Sequence, residues 1–334
     1  MRYDTAKSNC LVKTPYIWGP ICLHVTLAST DLVNVFSYRR LGQQIPPNSV
    51  NKCAKGKQPV HGFSSSTAEM PIDASKDLSW QTPCELSASF LVHTRQKLPS
   101  ELHASLVAAV QDIFSTNDLA NLHLASVIDD DMTEMHPVLY KALVQGRRLA
   151  GPGNFKRSRK AAEKMWRHSD KMETFYAVYK RIIHEFILPQ FGEDILYQHQ
   201  PILRIIVPDS EPPIKPHCDA DYWHNSNEIN FWVPLVHVAN TNSLWVESAP
   251  GAGDFAPFEL DGARGELMRF YGNRCQHYCR PNTEPTCRVS FDFRVVAARL
   301  FSPLEGAKEK ALRGAKPLEE GHYYKRARSK ARLE

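Results

Sequence analysis

Past Tyr197 the chain becomes a series of short β-like runs: Pro201–Val207, Glu228–Val238, Ser243–Ser248, Phe255–Leu260, Glu266–Tyr271 and Thr286–Val296. Turn signals separate them, among them Pro208-Asp209, Pro250-Gly251, Asp261-Gly262, Gly272-Asn273 and Pro281-Asn282. Such dipeptides punctuate strands because Pro fixes one backbone angle and Gly, Asn and Asp tolerate the turn conformations. Many short strands with no helix between them predict a β-sandwich or barrel.

Upstream, the pattern is different. Pro99-Ser100-Glu101 predicts a helix start with Ser100 as N-cap, followed by Leu102, Leu106, Val110, Ile113 and Phe114 at helical spacing. Thr133–Leu149 and Arg157–Leu188 also read as helices. In the second, Met172, Phe175, Val178, Ile182, Ile183 and Phe186 mark one apolar face, and Pro189 stands where the helix should stop. Glu85–Thr94 reads as a strand, and Ile21–Leu27 and Leu32–Tyr38 as short strands within a Pro-, Ser- and Gly-rich N-terminal region. The expected layout has four parts: a poorly defined, partly disordered extension over 1–84, a helical and strand support region over 85–200, a β core over 201–297 and a basic tail over 298–334.

A hydrophobic fraction of 43% and a charged fraction of 23% suit a globular chain. No apolar run approaches the ~18 residues of a membrane helix, and the N-terminus lacks the layout of a secretory signal. The expectation is a cytoplasmic protein with no membrane partner, its eight cysteines reduced. Of the net charge of +5, most lies in the tail, where residues 302–334 hold nine Lys/Arg against five Glu. A nucleic-acid contact is conceivable there, but no aromatic stacking platform accompanies the charge, and a solvated tail is the expectation. The sequence says nothing of oligomeric state.

Inside the β segment lies Pro216-His217-Cys218-Asp219. In an extended strand, residues two apart point to the same side, so His217 and Asp219 can reach one ion. A third ligand must come from a distant strand, and His277 is the best candidate, 58 positions beyond Asp219. Two histidines and a carboxylate on one face of an ion form the facial triad of non-haem iron(II) oxygenases. Such a triad is a weak signal alone. Arg288 follows His277 by 11 positions, in the run Arg288-Val289-Ser290-Phe291-Asp292-Phe293-Arg294-Val295. Strict alternation puts the apolar residues on one face and Arg288, Ser290, Asp292 and Arg294 on the other. A guanidinium fork matches a carboxylate in two bonds, and Ser290 can add a hydroxyl. An alternative zinc set, His217, Cys218, Cys275, His277 and Cys279, has a spacing unlike common structural zinc sites.

H-x-D, a distal His and R-x-S about ten residues later resemble the iron(II)/2-oxoglutarate-dependent oxygenase superfamily. More narrowly, the run EINFWVPL, TNSLWVESAPGAGDF, RFYGNRCQHYC and RVSFDFRV is similar to its streptomycin-biosynthesis-type (phytanoyl-hydroxylase-like) branch. The resemblance covers about residues 196–297. It implies an α+β fold, a double-stranded β-helix (jelly roll) core with helices packed on one face. It implies Fe(II) on His217, Asp219 and His277, with 2-oxoglutarate and O2 as cosubstrates. Arg288 and Ser290 would hold the distal carboxylate, with Tyr197 and Arg204 as candidates to assist. The activity implied is a dioxygenase that hydroxylates a small molecule, releasing succinate and CO2. Family members that halogenate lack the carboxylate that Asp219 supplies here. Asn230, Trp232 and Asn242 are substrate candidates or packing residues, and Tyr222 and His224 could rim the entrance. A non-catalytic jelly-roll binding module is the reading from another class.

Overall fold

The computed structural model describes residue 81 and residues 83–124, 136–144, 162–210, 214–314 and 316–329. Nearly all of the 1–84 extension, including the strands expected at Ile21–Leu27 and Leu32–Tyr38, lies outside them, as do both ends of the helix expected over Thr133–Leu149.

The helices are α1 (Ala88–Leu91), α2 (Ser100–Phe114), α3 (Pro137–Val144), α4 (residues 162–167), α5 (Asp170–Arg181), α6 (Leu188–Phe191) and α7 (Ala307–Leu312). The strands are β1 (Thr94–Lys97), β2 (Ile195–Gln198), β3 (Ile202–Ile206), β4 (Ile229–Pro234), β5 (His237–Val238) and β6 (Leu244–Val246). They continue as β7 (Ala256–Pro257), β8 (Leu260–Asp261), β9 (Glu266–Phe270), β10 (His277–Cys279), β11 (Arg288–Ala297) and β12 (Tyr324–Ala327).

The larger sheet is antiparallel and runs β1-β9-β4-β11, with β2 and β3 both on the far side of β11 and β12 outside β2. The smaller runs β10-β6-β7 and is extended by an antiparallel bridge between His217 and His277. Side chains meet between the two, Trp232 of β4 against Phe258 with ring centroids 6.1 Å apart and Phe270 of β9 against His277 at 5.4 Å. The described residues thus form an α+β fold of facing antiparallel sheets, in keeping with the double-stranded β-helix that the resemblance implied.

Strand β11 organises the molecule. Its alternation is realised: Val289, Phe291, Phe293 and Val295 are all fully buried. Phe291 and Phe293 meet α5 through Phe175 (5.7 Å) and Tyr179 (5.1 Å). The polar row faces the smaller sheet and Asp219.

Several local expectations are corrected. Glu85–Thr94 is not a strand: α1 forms instead, its Phe90 ring against Phe191 at 4.9 Å and under the Arg269 guanidinium at 4.6 Å, and tertiary contact overrides a short β-like pattern. Pro99 occupies the N-cap of α2, and Ser100 is its first residue. The long helix expected over Arg157–Leu188 is broken at Ser169, whose hydroxyl caps α5 by accepting from the Met172 N–H at 3.4 Å. Pro189 does not stop the chain's helical course. A π-helical segment, Ile182–Ile187, precedes it, so Pro189 falls in the first turn of α6, where a missing N–H costs nothing. The end comes at Gly192, in the left-handed region at φ 65°.

The basic tail is likewise not simply solvated. Strand β12 pairs with β2, and Tyr324 and Ala327 are fully buried. Arg326 is tied to Glu320 by two bonds of 2.8 and 2.7 Å. Replacing Tyr324 by Ala is expected to lower stability by about 3–5 kcal/mol, as large aromatic truncations in cores do. Urea unfolding checks this, and a change below about 1 kcal/mol would return the segment to the role of a loose tail. No helix among the described residues is long and apolar enough to cross a membrane.

Candidate metal centre

The bridge between His217 and His277 is a pair of backbone bonds, His217 N–H to His277 C=O at 3.2 Å and the reverse at 2.9 Å. It sets the two rings side by side, 4.3 Å between centroids. Each Nδ1 lies against a backbone carbonyl, Lys215 at 2.8 Å and Cys275 at 3.0 Å. A ring that donates from Nδ1 keeps its lone pair on Nε2. Both Nε2 atoms approach Oδ1 of Asp219, at 3.9 and 3.8 Å. One ligand atom from each of the three residues lies within 4.8 Å of the others. Burial pushes the His277 pKa down to about 4, so the ring is neutral near pH 7 and free to ligate.

His217 and Asp219 converge for a reason other than strand alternation. Asp219 opens a 3-10 turn, Asp219–Tyr222, its N–H held by Gly272 C=O at 2.9 Å. Gly272 is required there, since a Cβ would fall 2.7 Å from the Asn230 amide carbon. Asn230 in turn donates from Nδ2 to Asp219 Oδ2 at 2.6 Å.

The residue that sequence reasoning missed is Arg294. Its Nε donates to Asp219 Oδ2 at 2.7 Å and its Nη2 to Oδ1 at 2.8 Å, with both residues almost wholly buried. Burial alone would raise the Asp219 pKa; the Arg294 guanidinium overrides it and holds the carboxyl well below the usual range. Behind Arg294 stands Glu228, 4.0 Å from its Nε and fully buried. Glu228 accepts from the Tyr324 hydroxyl and the Asn225 N–H (2.9 Å) and meets His224 Nδ1 at 2.9 Å. The His224 Nδ1 is therefore engaged by Glu228. The polar row of β11 marked Arg294 as inward-facing, but nothing local named its partner.

At the other end of β11, Arg288 and Ser290 are fully buried. Arg288 Nη2 donates to Cys279 Sγ at 3.1 Å, whereas Arg288 Nε, Arg288 Nη1 and Ser290 Oγ have no hydrogen-bond partner. Among the described residues no carboxylate pairs with Arg288. Its guanidinium carbon lies 5.7 Å from the centroid of the Trp232 ring. Leaving buried donors unpaired costs about 1–3 kcal/mol each, and the group that would satisfy all three is a carboxylate.

The other candidates scatter. Arg204 stands opposite Ser290 on the neighbouring strand but is locked on Asp292, Nε to Oδ1 at 2.6 Å. Tyr197 pairs with Val295 and meets Tyr179 and His184 on the helix side of the sheet, at 6.0 and 6.5 Å. Tyr197→Phe is therefore expected to leave cosubstrate affinity within about twofold of wild type, as read by calorimetry; a tenfold loss would put Tyr197 in the site. Asn230 and Trp232 face inward, the first on Asp219 and the second under Arg288. Asn242 closes a local turn, accepting from the Ala239 N–H at 2.9 Å and donating to Thr286 Oγ1 at 3.4 Å. Tyr222 is exposed beside His217, at 5.2 Å.

The alternative zinc set is not assembled among the described residues. Their one candidate metal cluster contains no cysteine. Cys218 Sγ points to Arg274 C=O at 3.2 Å, Cys279 to Arg288, and burial pushes the Cys275 thiol up to about 12.

No family model matches the chain. Among solved structures, the chain overlaps the non-haem monooxygenase ThoJ in its nickel complex at 14% identity, over 63% of this chain and 75% of that one, with a TM-score of 0.35. It overlaps EctD from S. alaskensis with 2-oxoglutarate and 5-hydroxyectoine at 13% identity, over 72% and 84%, with a TM-score of 0.38. Overlap of that order assigns neither fold nor activity. The streptomycin biosynthesis protein StrG of Streptomyces griseus is 27% identical over 158 residues, 47% of this chain and 73% of that protein. The resemblance to the streptomycin-biosynthesis-type branch, carried first by the runs between Glu228 and Val295, is thus met in a curated protein.

Proposed function

We propose that the chain is an Fe(II)- and 2-oxoglutarate-dependent dioxygenase that hydroxylates a small molecule and releases succinate and CO2. One observation carries the reading. A His-Asp-His donor set and a group of unpaired buried donors share one inner face, Asp219 gripped by Arg294 and the donors supplied by Arg288 and Ser290 of the same strand. The donor set suits Fe(II), which accepts mixed imidazole and carboxylate ligation. The orphaned Arg288 nitrogens and Ser290 hydroxyl suit a carboxylate at the other end of the same face.

When bound, iron(II) supplies the redox chemistry that couples dioxygen to decarboxylation of the 2-oxo acid. The chain's residues do the rest. His217 and His277 present their Nε2 lone pairs, fixed by the carbonyls at Nδ1. Asp219 presents Oδ1, its other oxygen held by Asn230 and Arg294. Arg288 and Ser290 fix the distal carboxylate and thereby the orientation of the keto acid. Trp232, Phe258 and Phe270 wall the space between the sheets and exclude water. The carboxylate at Asp219 favours hydroxylation, or another outcome of the same hydrogen abstraction, over halogenation.

The test is release of labelled CO2 from 2-oxoglutarate across a panel of small molecules, with Fe(II) and air. The expected result is Fe(II)-dependent release, stimulated by some panel members and lost in His277→Ala. Equal release with and without His277 would overturn the proposal.

A further inference from the structure

Two ion pairs line the inner face of the barrel. Arg204 sits on Asp292 at 2.6 Å. Glu228 lies 4.0 Å behind the Arg294 Nε, and the buried Lys310 Nζ donates to Tyr222 C=O at 2.8 Å. Arg294 holds Asp219 by two bonds. Both ring ligands set Nδ1 against a backbone carbonyl, and Arg288 has no carboxylate partner among the described residues. The ligand set for a metal is therefore electrically neutral once Arg294 is counted, and Arg288 adds one further positive charge.

We propose that Arg294 is a positioning residue that sets the charge of the metal site, so that a divalent cation binds weakly alone and tightly only together with a dianionic 2-oxo acid. The proposal rests on the dioxygenase reading above. Its physical basis is simple. A guanidinium fork on both oxygens of Asp219 cancels the charge that would attract the cation. It also leaves Oδ1, the oxygen both imidazoles approach, as a single-point ligand, because Oδ2 is shared between Arg294 Nε and Asn230 Nδ2. Unit charges a few ångströms apart in a poorly solvated interior interact strongly. A dication and Arg288 together bring three positive charges into a site with no charge to spare. The two carboxylates of the cosubstrate offset most of that, one at the metal and one at Arg288. Each ligand must then raise the affinity of the other by the same factor. Glu228, held by Tyr324, His224 and Asn225, keeps the guanidinium aimed at Asp219.

The test is calorimetric titration of the full chain with Mn(II), with and without N-oxalylglycine, a dianionic analogue that does not turn over. In wild type, the analogue is expected to tighten Mn(II) binding about tenfold or more. Arg294→Gln is expected to tighten Mn(II) binding in the absence of the analogue by about tenfold and to shrink the coupling to below about threefold. Arg294→Lys keeps the charge and is expected to stay within about threefold of wild type in both measurements. A folded Arg294→Gln protein that binds Mn(II) as wild type does, or more weakly, would overturn the proposal and leave the dioxygenase reading standing. Should that variant not fold, wild-type Mn(II) affinity that is indifferent to N-oxalylglycine overturns it equally. Failure of wild type to bind Mn(II) under either condition would remove the metal site itself, and both readings with it.

Discussion

Replacing Asp219 by Ala is expected to do two things at once: weaken divalent-metal binding by at least about 100-fold, and lower the stability of the metal-free protein by about 3–5 kcal/mol. The first follows from removal of the one carboxylate among the three converging ligands. The second follows from Arg294, which would stay buried at 6% exposure without its two short bonds. Glu228 at 4.0 Å and Asp292 at 3.7 Å are too distant to replace them. The pH dependence should change with it. Asp219 has a folded pKa well below its unfolded value, so its contribution is fully present above the unfolded value, near ~4, and is lost as pH falls through the folded one. Urea midpoints measured from neutral pH down to about pH 3 should therefore fall less steeply in the variant below about pH 4 than in wild type. A variant with unchanged metal affinity, whatever its stability, would show that Asp219 serves the fold alone.

Replacing Arg288 by Met is expected to separate stability from binding in the opposite sense. Affinity for 2-oxoglutarate in the metal-loaded protein should fall on the order of 100-fold or more, because a buried two-point contact to a carboxylate is lost. The metal-free protein, however, should be as stable as wild type or more so. Arg288 buries two unpaired nitrogens and a charge with no carboxylate partner among the described residues, and a well-packed apolar side chain removes that cost. A residue that weakens the resting fold is retained where function needs it. Calorimetry and urea unfolding check the two halves. A loss of more than about 2 kcal/mol with unchanged cosubstrate affinity would make Arg288 a structural residue.

What the sequence made legible was what repeats locally. The period-2 alternation of β11 exposed both its helix-facing apolar row and its inward polar row, because each face has one uniform environment. His217, Asp219 and His277 were readable because the ligand chemistry restricts the residue types. The Arg294 clamp was not, since its partner lies 75 residues away in sequence. The Tyr324 contact to Glu228 spans 96 residues, and β12 exists only because the edge of β2 is there to pair with it. Pro189 misled for a related reason. A π-helical segment, which no side-chain period announces, moved it from the end of a helix to the first turn of the next. Arg204 and Tyr197 show the remaining limit: residue type suggested a carboxylate contact, but neighbours fixed one on Asp292 and turned the other toward the helices.

The most direct test of the central claim is an anaerobic titration of the protein with Fe(II) and 2-oxoglutarate, followed by visible absorption. A charge-transfer band that needs both components is expected, and it should disappear in Asp219→Ala. In Arg288→Met it should require far more 2-oxoglutarate. Absence of the band in wild type at saturating Fe(II) and 2-oxoglutarate would rule out a shared site for the two on this face.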